Sequence, residues 1–237
     1  MNGSLCVIPA RGGSERLPGK NIKLMAGKPM IAWTIECARS CGLFSAVYVS
    51  TDDEEIAKAA REYGALTPAP LPAEIARPDQ ASMRACVFMH EYLRSQGHGP
   101  WEFLFCLQPT SPLRAPEDIL AAEEKMRTGD YEHVVSCTAI DPHYHHWAMK
   151  EAGGYLSPVF GPEYQVDRLY LPEVLRPNGA VKVMRTGFAG VHETFFDSRK
   201  VGAVKMPEER SVHVAHEIDF ALAELLLTRR ERKRDAA

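Results

Sequence analysis

The sequence has no run near the roughly 20 consecutive apolar residues that a helix needs to cross a bilayer. It also lacks a basic N-terminal segment followed by a signal-like apolar core. Both absences lead us to expect a cytoplasmic protein with no membrane partner. There is no CxxC pair: Cys6, Cys37, Cys41, Cys86, Cys106 and Cys137 stand apart, mostly inside apolar runs. We read them as reduced, buried thiols rather than disulfides, although the Cys37–Cys41 spacing would also suit a metal. A dominant charge is missing too, since 28 Lys and Arg against 31 Asp and Glu leave a formal charge of -3. Such a balance gives no global pull toward nucleic acid, so any anion site must be a local cluster. Internal repeats and low-complexity segments are absent as well.

What is present is an ordinary globular composition, 45% apolar over 237 residues, enough to bury one substantial core. Short apolar runs rich in β-branched residues alternate with longer amphipathic stretches, the pattern of βα units building a mostly parallel sheet. Strands are predicted at Leu5–Pro9, Ala46–Ser50, Phe103–Leu107, Val134–Thr138 and Ala180–Met184. Helices are predicted at Met30–Arg39, Glu54–Tyr63, Ser82–Ser95, Glu117–Met126 and His216–Arg230, from apolar residues three to four apart. Pro116 suits the first turn of the fourth. The expected architecture is one α/β domain over residues 1–230 with a basic, solvated tail at 231–237. Residues 141–179 break the rhythm with Pro, Gly, His and aromatic residues, and read as an arm that covers the site or pairs two subunits.

The local anion cluster is "IPARGGSERLPGKN", Ile8 to Asn21, directly after the first predicted strand. Its loop falls at the carboxyl end of that strand, where open α/β sheets bind ligands. Gly12 and Gly13 free the backbone to turn N–H groups inward as a nest, and Arg11, Arg16 and Lys20 add side-chain cations. Glu15 could pair with Arg16 or Lys20, or point outward.

Three more segments follow in order, each at or beside a predicted strand: "VSTDDEEI" (Val49–Ile56), "LQPTSPLR" (Leu107–Arg114) and "RPNGAVKVMRT" (Arg176–Thr186). Together with the opening loop they resemble the CMP-sialic acid synthetase (acylneuraminate cytidylyltransferase) family, over about Leu5 to Leu227. The resemblance implies a three-layer α/β/α, nucleotide-diphospho-sugar transferase-like fold with a small dimerisation arm, and a homodimer. It also implies transfer of CMP from CTP to an acidic keto sugar, with release of pyrophosphate and a requirement for Mg2+. Carried over by motif, Ala10, Arg11, Gly12, Gly13, Ser14, Arg16 and Lys20 hold the triphosphate and Asn21 the ribose or base edge. Ser82, in "DQAS", contacts the nucleotide, and Gln108, Thr110 and Ser111 lie between nucleotide and sugar. Asn178 belongs to the acceptor side, and Arg168 meets the sugar carboxylate. Arg11, Lys20 and Gln108 carry the catalysis.

The sequence also departs from that family. Aligning the last helix puts His213 and Ala215 where the family holds Mg2+ with two aspartates. Glu217 and Asp219 are then the remaining candidates for the metal, with Mn2+ as an alternative ion if imidazole takes part. Leu71 stands where relatives have an arginine near the base, and Arg77 is the candidate to replace it. The cluster "HYHHW" (His143–Trp147) suits stacking or a subunit contact better than zinc. Asp52 has two roles open to it, orienting the loops or taking a proton from the acceptor. Because of Leu71, His213 and Ala215, two alternatives stand beside cytidylyl transfer. One is transfer from another nucleoside triphosphate, or to another small acid or sugar phosphate. The other is nucleotide binding without catalysis.

Overall fold

The computed structural model describes residues 3–77, 82–192 and 194–235, with the backbone alone at His143, Arg168, Arg234 and Asp235. The apolar run at the start forms strand β1 (Gly3–Pro9), buried continuously from Ser4 to Ile8, as a strand covered on both faces should be. Two short strands follow, β2 (Leu24–Met25) and β3 (Lys28–Pro29), then α1 (Met30–Ser40), β4 (Val47–Ser50), α2 (Glu54–Glu62) and α3 (Ser82–Ser95). Next come β5 (Trp101–Cys106), α4 (Pro116–Thr128), β6 (His133–Ile140), the single turn α5 (His143–His146), and the hairpin β7 (Met149–Ala152) and β8 (Tyr155–Pro158). The chain finishes with β9 (Val174–Arg185), β10 (Val201–Lys205) and α6 (Glu217–Asp235).

Six strands form the central sheet in the order β10-β6-β9-β5-β1-β4. β1 runs parallel to β4 and β5, and β10 parallel to β6, while β9 is antiparallel to both β5 and β6. The predicted strand at Ala180–Met184 is therefore real but longer, and it runs against its neighbours. Alternate residues of each strand face opposite helical layers. Ile8, Phe103, Phe105 and Val183 pack with Ile31 and Ile35 of α1, Ile56 of α2 and Ile119 of α4. Leu5, Val7, Leu104 and Met184 pack with Met83, Met89 and Leu93 of α3. The result is the three-layer α/β/α arrangement.

Local chemistry explains the helix starts. Asp53 caps α2 by accepting from the backbone N–H groups of Glu55 (2.8 Å) and Ile56 (3.1 Å). Pro116 opens α4, and Asp118 reaches back to the Ala115 N–H at 2.9 Å. The same Asp118 is buried and binds Arg210 at 2.7 Å, fastening α4 to the segment ahead of α6.

The arm, read as a break in the βα rhythm, has elements of its own: residues 141–179 hold α5, the β7–β8 hairpin, two 3-10 turns and the first half of β9. Within it His145 stacks on Phe160 with ring centroids 4.1 Å apart, so an aromatic contact occupies the histidine that looked metal-like. Helix α6 extends through Asp235, so residues 231–235 of the basic segment continue the helix. Strand β10 had no counterpart in the sequence reading. All six cysteines are free, five of them buried and Cys41 half-buried.

Candidate nucleotide site

β1 and β5 are parallel neighbours, so the loops that leave them meet at the same edge of the sheet. There they border a cavity of about 220 Å3. The first loop contributes Ala10, Arg11, Ser14, Arg16, Lys20 and Asn21, and the loop after β5 contributes Gln108 and Thr110. Ser82 and Ala85 enter from the first turn of α3, Leu71, Ile75 and Arg77 from the turn before it, and His213 from the segment ahead of α6. Four cationic side chains thus border the cavity, and no carboxylate is among its described lining residues. Burial, with Arg16 and Arg11 nearby, holds the Lys20 ammonium below the ordinary lysine value. Three cations gathered in this way form a site suited to an anion of high charge.

Several contacts set this geometry. Asn21 is buried and its Nδ2 donates to the Arg11 carbonyl at 3.1 Å, pinning the two ends of the loop together. Gln108 Nε2 donates to Ser82 Oγ at 3.2 Å, joining the β5 loop to α3 across the cavity floor. Arg114, buried and at the end of "LQPTSPLR", donates to the Gln108 carbonyl at 2.7 Å, to Thr34 Oγ1 at 3.2 Å and to the Ala180 carbonyl. It is a positioning residue that the sequence reading quoted without a role. Its only signal was an arginine closing an otherwise uncharged turn. Ala85 was missed as well, and His213 was read only as standing at the family's metal position. Ala85 lies three residues after Ser82 and so shares its helix face.

Other predicted site residues serve other purposes. The Gly12 N–H donates to Asp52 Oδ1 at 2.8 Å and so is turned away from the anion site. A side chain there would meet Asp53 Oδ2 at 2.6 Å, so the glycine is required by the approach of the β4 loop. Neither Gly12 nor Gly13 lines the cavity. Asp52 thereby takes the loop-orienting role of the two open to it. Glu15 is exposed and lies outside the cavity lining.

Asn178 and Ser111, expected at the acceptor, are buried cross-links. Asn178 Oδ1 accepts from Ser136 Oγ (2.6 Å) and the Ala180 N–H (3.1 Å), while its Nδ2 donates to Ser211 Oγ (2.9 Å). Ser111 Oγ donates to the Asn178 carbonyl at 3.1 Å. Arg168 opens a 3-10 turn in the arm. Asp79 to Ala81 of the "DQAS" segment lie outside the described residues.

The residues read as metal ligands do not fit a metal. Glu217 binds Lys23 Nζ through both oxygens at 2.5 and 2.6 Å. Asp219 caps α6, accepting from the N–H groups of Ala215 (3.0 Å) and His216 (2.7 Å). Among the described residues no group of three or more His, Cys, Asp or Glu side chains is placed to hold a metal ion.

Beside this cavity lies another of about 520 Å3, with Arg176, Glu208, Glu209, Asp219 and Leu222 in its wall. His213 belongs to both.

Residues 5–146 match the family model described as cytidylyltransferase. Over 226 residues the chain is 32% identical to the CMP-N,N'-diacetyllegionaminic acid synthase of Legionella pneumophila, covering 94% of this chain and 95% of that protein. It is 34% identical over 220 residues to the N-acylneuraminate cytidylyltransferase of Streptococcus agalactiae, covering 91% of this chain but 51% of that protein. In fold it is similar to a CMP:2-keto-3-deoxy-manno-octonic acid synthetase complexed with CTP, with a TM-score of 0.72 at 19% identity over 96% of this chain and 99% of that one. By its match over residues 5–146 and its likeness along almost the whole chain, the protein belongs to the cytidylyltransferases, in the CMP-sialic acid synthetase family that its motifs resemble.

Proposed function

We propose that the protein transfers the cytidylyl group of CTP to a hydroxyl of an acidic nine-carbon or eight-carbon keto sugar, releasing pyrophosphate. The observation that carries this reading is the cavity at the strand ends, bordered by Arg11, Arg16, Lys20 and Arg77. In-line attack on the α-phosphate needs positioning and charge neutralisation more than a covalent intermediate, and cations held in a partly buried site supply both. In this reading the four cations bind the triphosphate, Leu71, Ile75 and Ala85 form the apolar wall for the base, and Ser82 and Gln108 orient the nucleotide. The acidic sugar enters the adjoining cavity, where the Arg176 guanidinium is suited to its carboxylate.

A divalent ion, Mg2+ or Mn2+, would arrive on the triphosphate, since the described lining residues offer no carboxylate for a hard cation. We assign it no step. Use of CTP fits a cytoplasmic protein. The arm suits a homodimer in which each arm closes the other copy's pocket: Tyr155, Leu156, Leu169 and Tyr170 are each 72% or more exposed, an apolar surface expected to be covered. In this reading residues 1–230 form one catalytic domain and 141–179 its dimerisation extension.

The test is pyrophosphate release from each nucleoside triphosphate against sialic, legionaminic, pseudaminic and 2-keto-3-deoxy-octonic acids. Turnover with CTP and at least one acid is expected. Failure with every acid, or a clear preference for another triphosphate, would sink the reading. Sedimentation of a monomer at micromolar concentration would remove the dimer.

A further inference from the structure

Transfer to a hydroxyl requires that its proton leave as the oxygen bonds phosphorus. The cations of the nucleotide cavity are donors and cannot take it, and Asp52 is held by the Gly12 N–H at 2.8 Å. His213 is the lining residue common to the nucleotide cavity and the adjoining acceptor cavity. It therefore stands where the α-phosphate and the attacking oxygen have to meet.

The ring is held by neighbours on the β5 loop and on β9. Its Nδ1 lies 3.4 Å from Thr110 Oγ1, and the imidazole hydrogen-bonds the Asn178 carbonyl. Gly179 has φ of +73°, and a Cβ there would lie 3.3 Å from Nδ1 and 3.5 Å from Cε1 of His213 while colliding with Gln108 Oε1. A glycine at this point lets both side chains lie against β9. Burial holds the imidazole below its ordinary value, and Lys20, Lys182 and Arg176 push the same way, while the Asn178 carbonyl opposes them. The carboxylates bordering the second cavity are Glu208, Glu209 and Asp219, and none of them borders the first. Asp219 is already held by two backbone N–H groups. At neutral pH His213 is thus uncharged and has a lone pair to offer.

We propose that His213 is the general base of the transfer, accepting the acceptor hydroxyl proton on Nε2. As that O–H bond breaks, the oxygen forms a bond to the α-phosphorus. The bond from the α-phosphorus to the bridging oxygen breaks in turn, and its electron pair leaves on pyrophosphate. This rests on the reading of the site as a cytidylyl transferase.

The experiment compares wild type with His213→Gln and His213→Asn, measuring CTP affinity by calorimetry and kcat for pyrophosphate release as a function of pH. Wild-type kcat is expected to decline with unit slope on the acid side, at a pH below the ordinary histidine value of about 6.5. Each variant is expected to lose about 10²- to 10⁴-fold in kcat and to lose that acid limb, with CTP affinity within about threefold of wild type. A variant that keeps the acid limb, or keeps kcat within about threefold, overturns the proposal. So does a loss that falls equally on CTP binding, which marks a merely structural residue. Should neither variant fold, a wild-type kcat that stays flat down to about pH 5 overturns it. A wild type that releases no pyrophosphate with any acid removes the transferase reading itself, an outcome distinct from an active wild type with an active His213→Gln.

Discussion

Lys20 is half-buried beside Arg16 and Arg11, and its ammonium is held below the ordinary lysine value by burial first and by those charges second. A bound triphosphate reverses the balance, because an adjacent anion favours the charged form. CTP binding at about pH 9 is therefore expected to take up protons, as seen by calorimetry in two buffers of different ionisation enthalpy. Proton release would contradict the placement of Lys20 on the phosphates. Lys20→Ala is expected to lower kcat/KM by about 10²- to 10³-fold, and wild-type-like turnover would remove it from the site. Asn178 is expected to behave differently. Its buried carboxamide is committed to Ser136, Ala180 and Ser211, so Asn178→Ala should cost about 3 kcal/mol in urea unfolding by stranding those partners. A higher KM for the acid with stability unchanged would restore Asn178 as a substrate contact.

Helix α6 acts as a strap over the phosphate loop. Lys23 pairs with Glu217 and lies 4.5 Å from the centroid of the Phe220 ring, and the Ala26 N–H donates to Glu224 Oε1 at 2.8 Å. Phe220, Ala223 and Leu227 pack with Leu17, Met25, Met30 and Trp33. Phe220→Ala should destabilise by about 3–5 kcal/mol and weaken CTP binding, because the loop loses its support. By contrast, Glu217→Gln removes an exposed pair worth about 1 kcal/mol or less, and Asp219→Asn weakens a cap worth about 1 kcal/mol. Neither should shift the Mg2+ concentration for half-maximal turnover. A shift of about tenfold, about 1.4 kcal/mol of metal binding, would show that these carboxylates ligate the ion.

The helices were legible because apolar spacing of three to four residues belongs to the helix itself. α3 occupies the predicted Ser82–Ser95, and α1, α2 and α4 differ from their predicted bounds by one or two residues at an end. Strand β10 was not legible. "VGAVK" carries a glycine, shows alternating rather than continuous burial, and pairs only along β6. The direction of β9 was hidden too, since an apolar strand reads the same in either sense and its path is set by the arm that precedes it.

Over the whole molecule, acid stability turns on a histidine pair in which His133 is buried and His192 half-buried. His133 Nε2 lies 2.6 Å from His192 Nδ1, tying the start of β6 to the segment between β9 and β10. Burial first, then the neighbouring His192, lower the His133 pKa to about 4. An unfolded histidine titrates near 6.5, so between about pH 6.5 and pH 4 the unfolded chain binds more protons than the folded one. Stability should fall across that window by up to about 3 kcal/mol, read from urea midpoints, and His133→Phe should flatten the fall. An unchanged pH profile in that variant would assign the acid sensitivity to other groups.

The local order of residues was enough to determine the cationic loop, the helices and the family, because each depends on neighbours a few positions apart. Which groups face the ligand was decided only by the fold. Gly12 meets Asp52 from 40 residues away, Asn178 meets Ser136 from 42, and Glu217 meets Lys23 from 194. Those partners turn one predicted phosphate contact, one predicted sugar contact and one predicted metal ligand to structural use. The same folding brings His213 to the boundary of two cavities. A polar group can satisfy only as many partners as its geometry allows, and motif spacing does not say which partners arrive first.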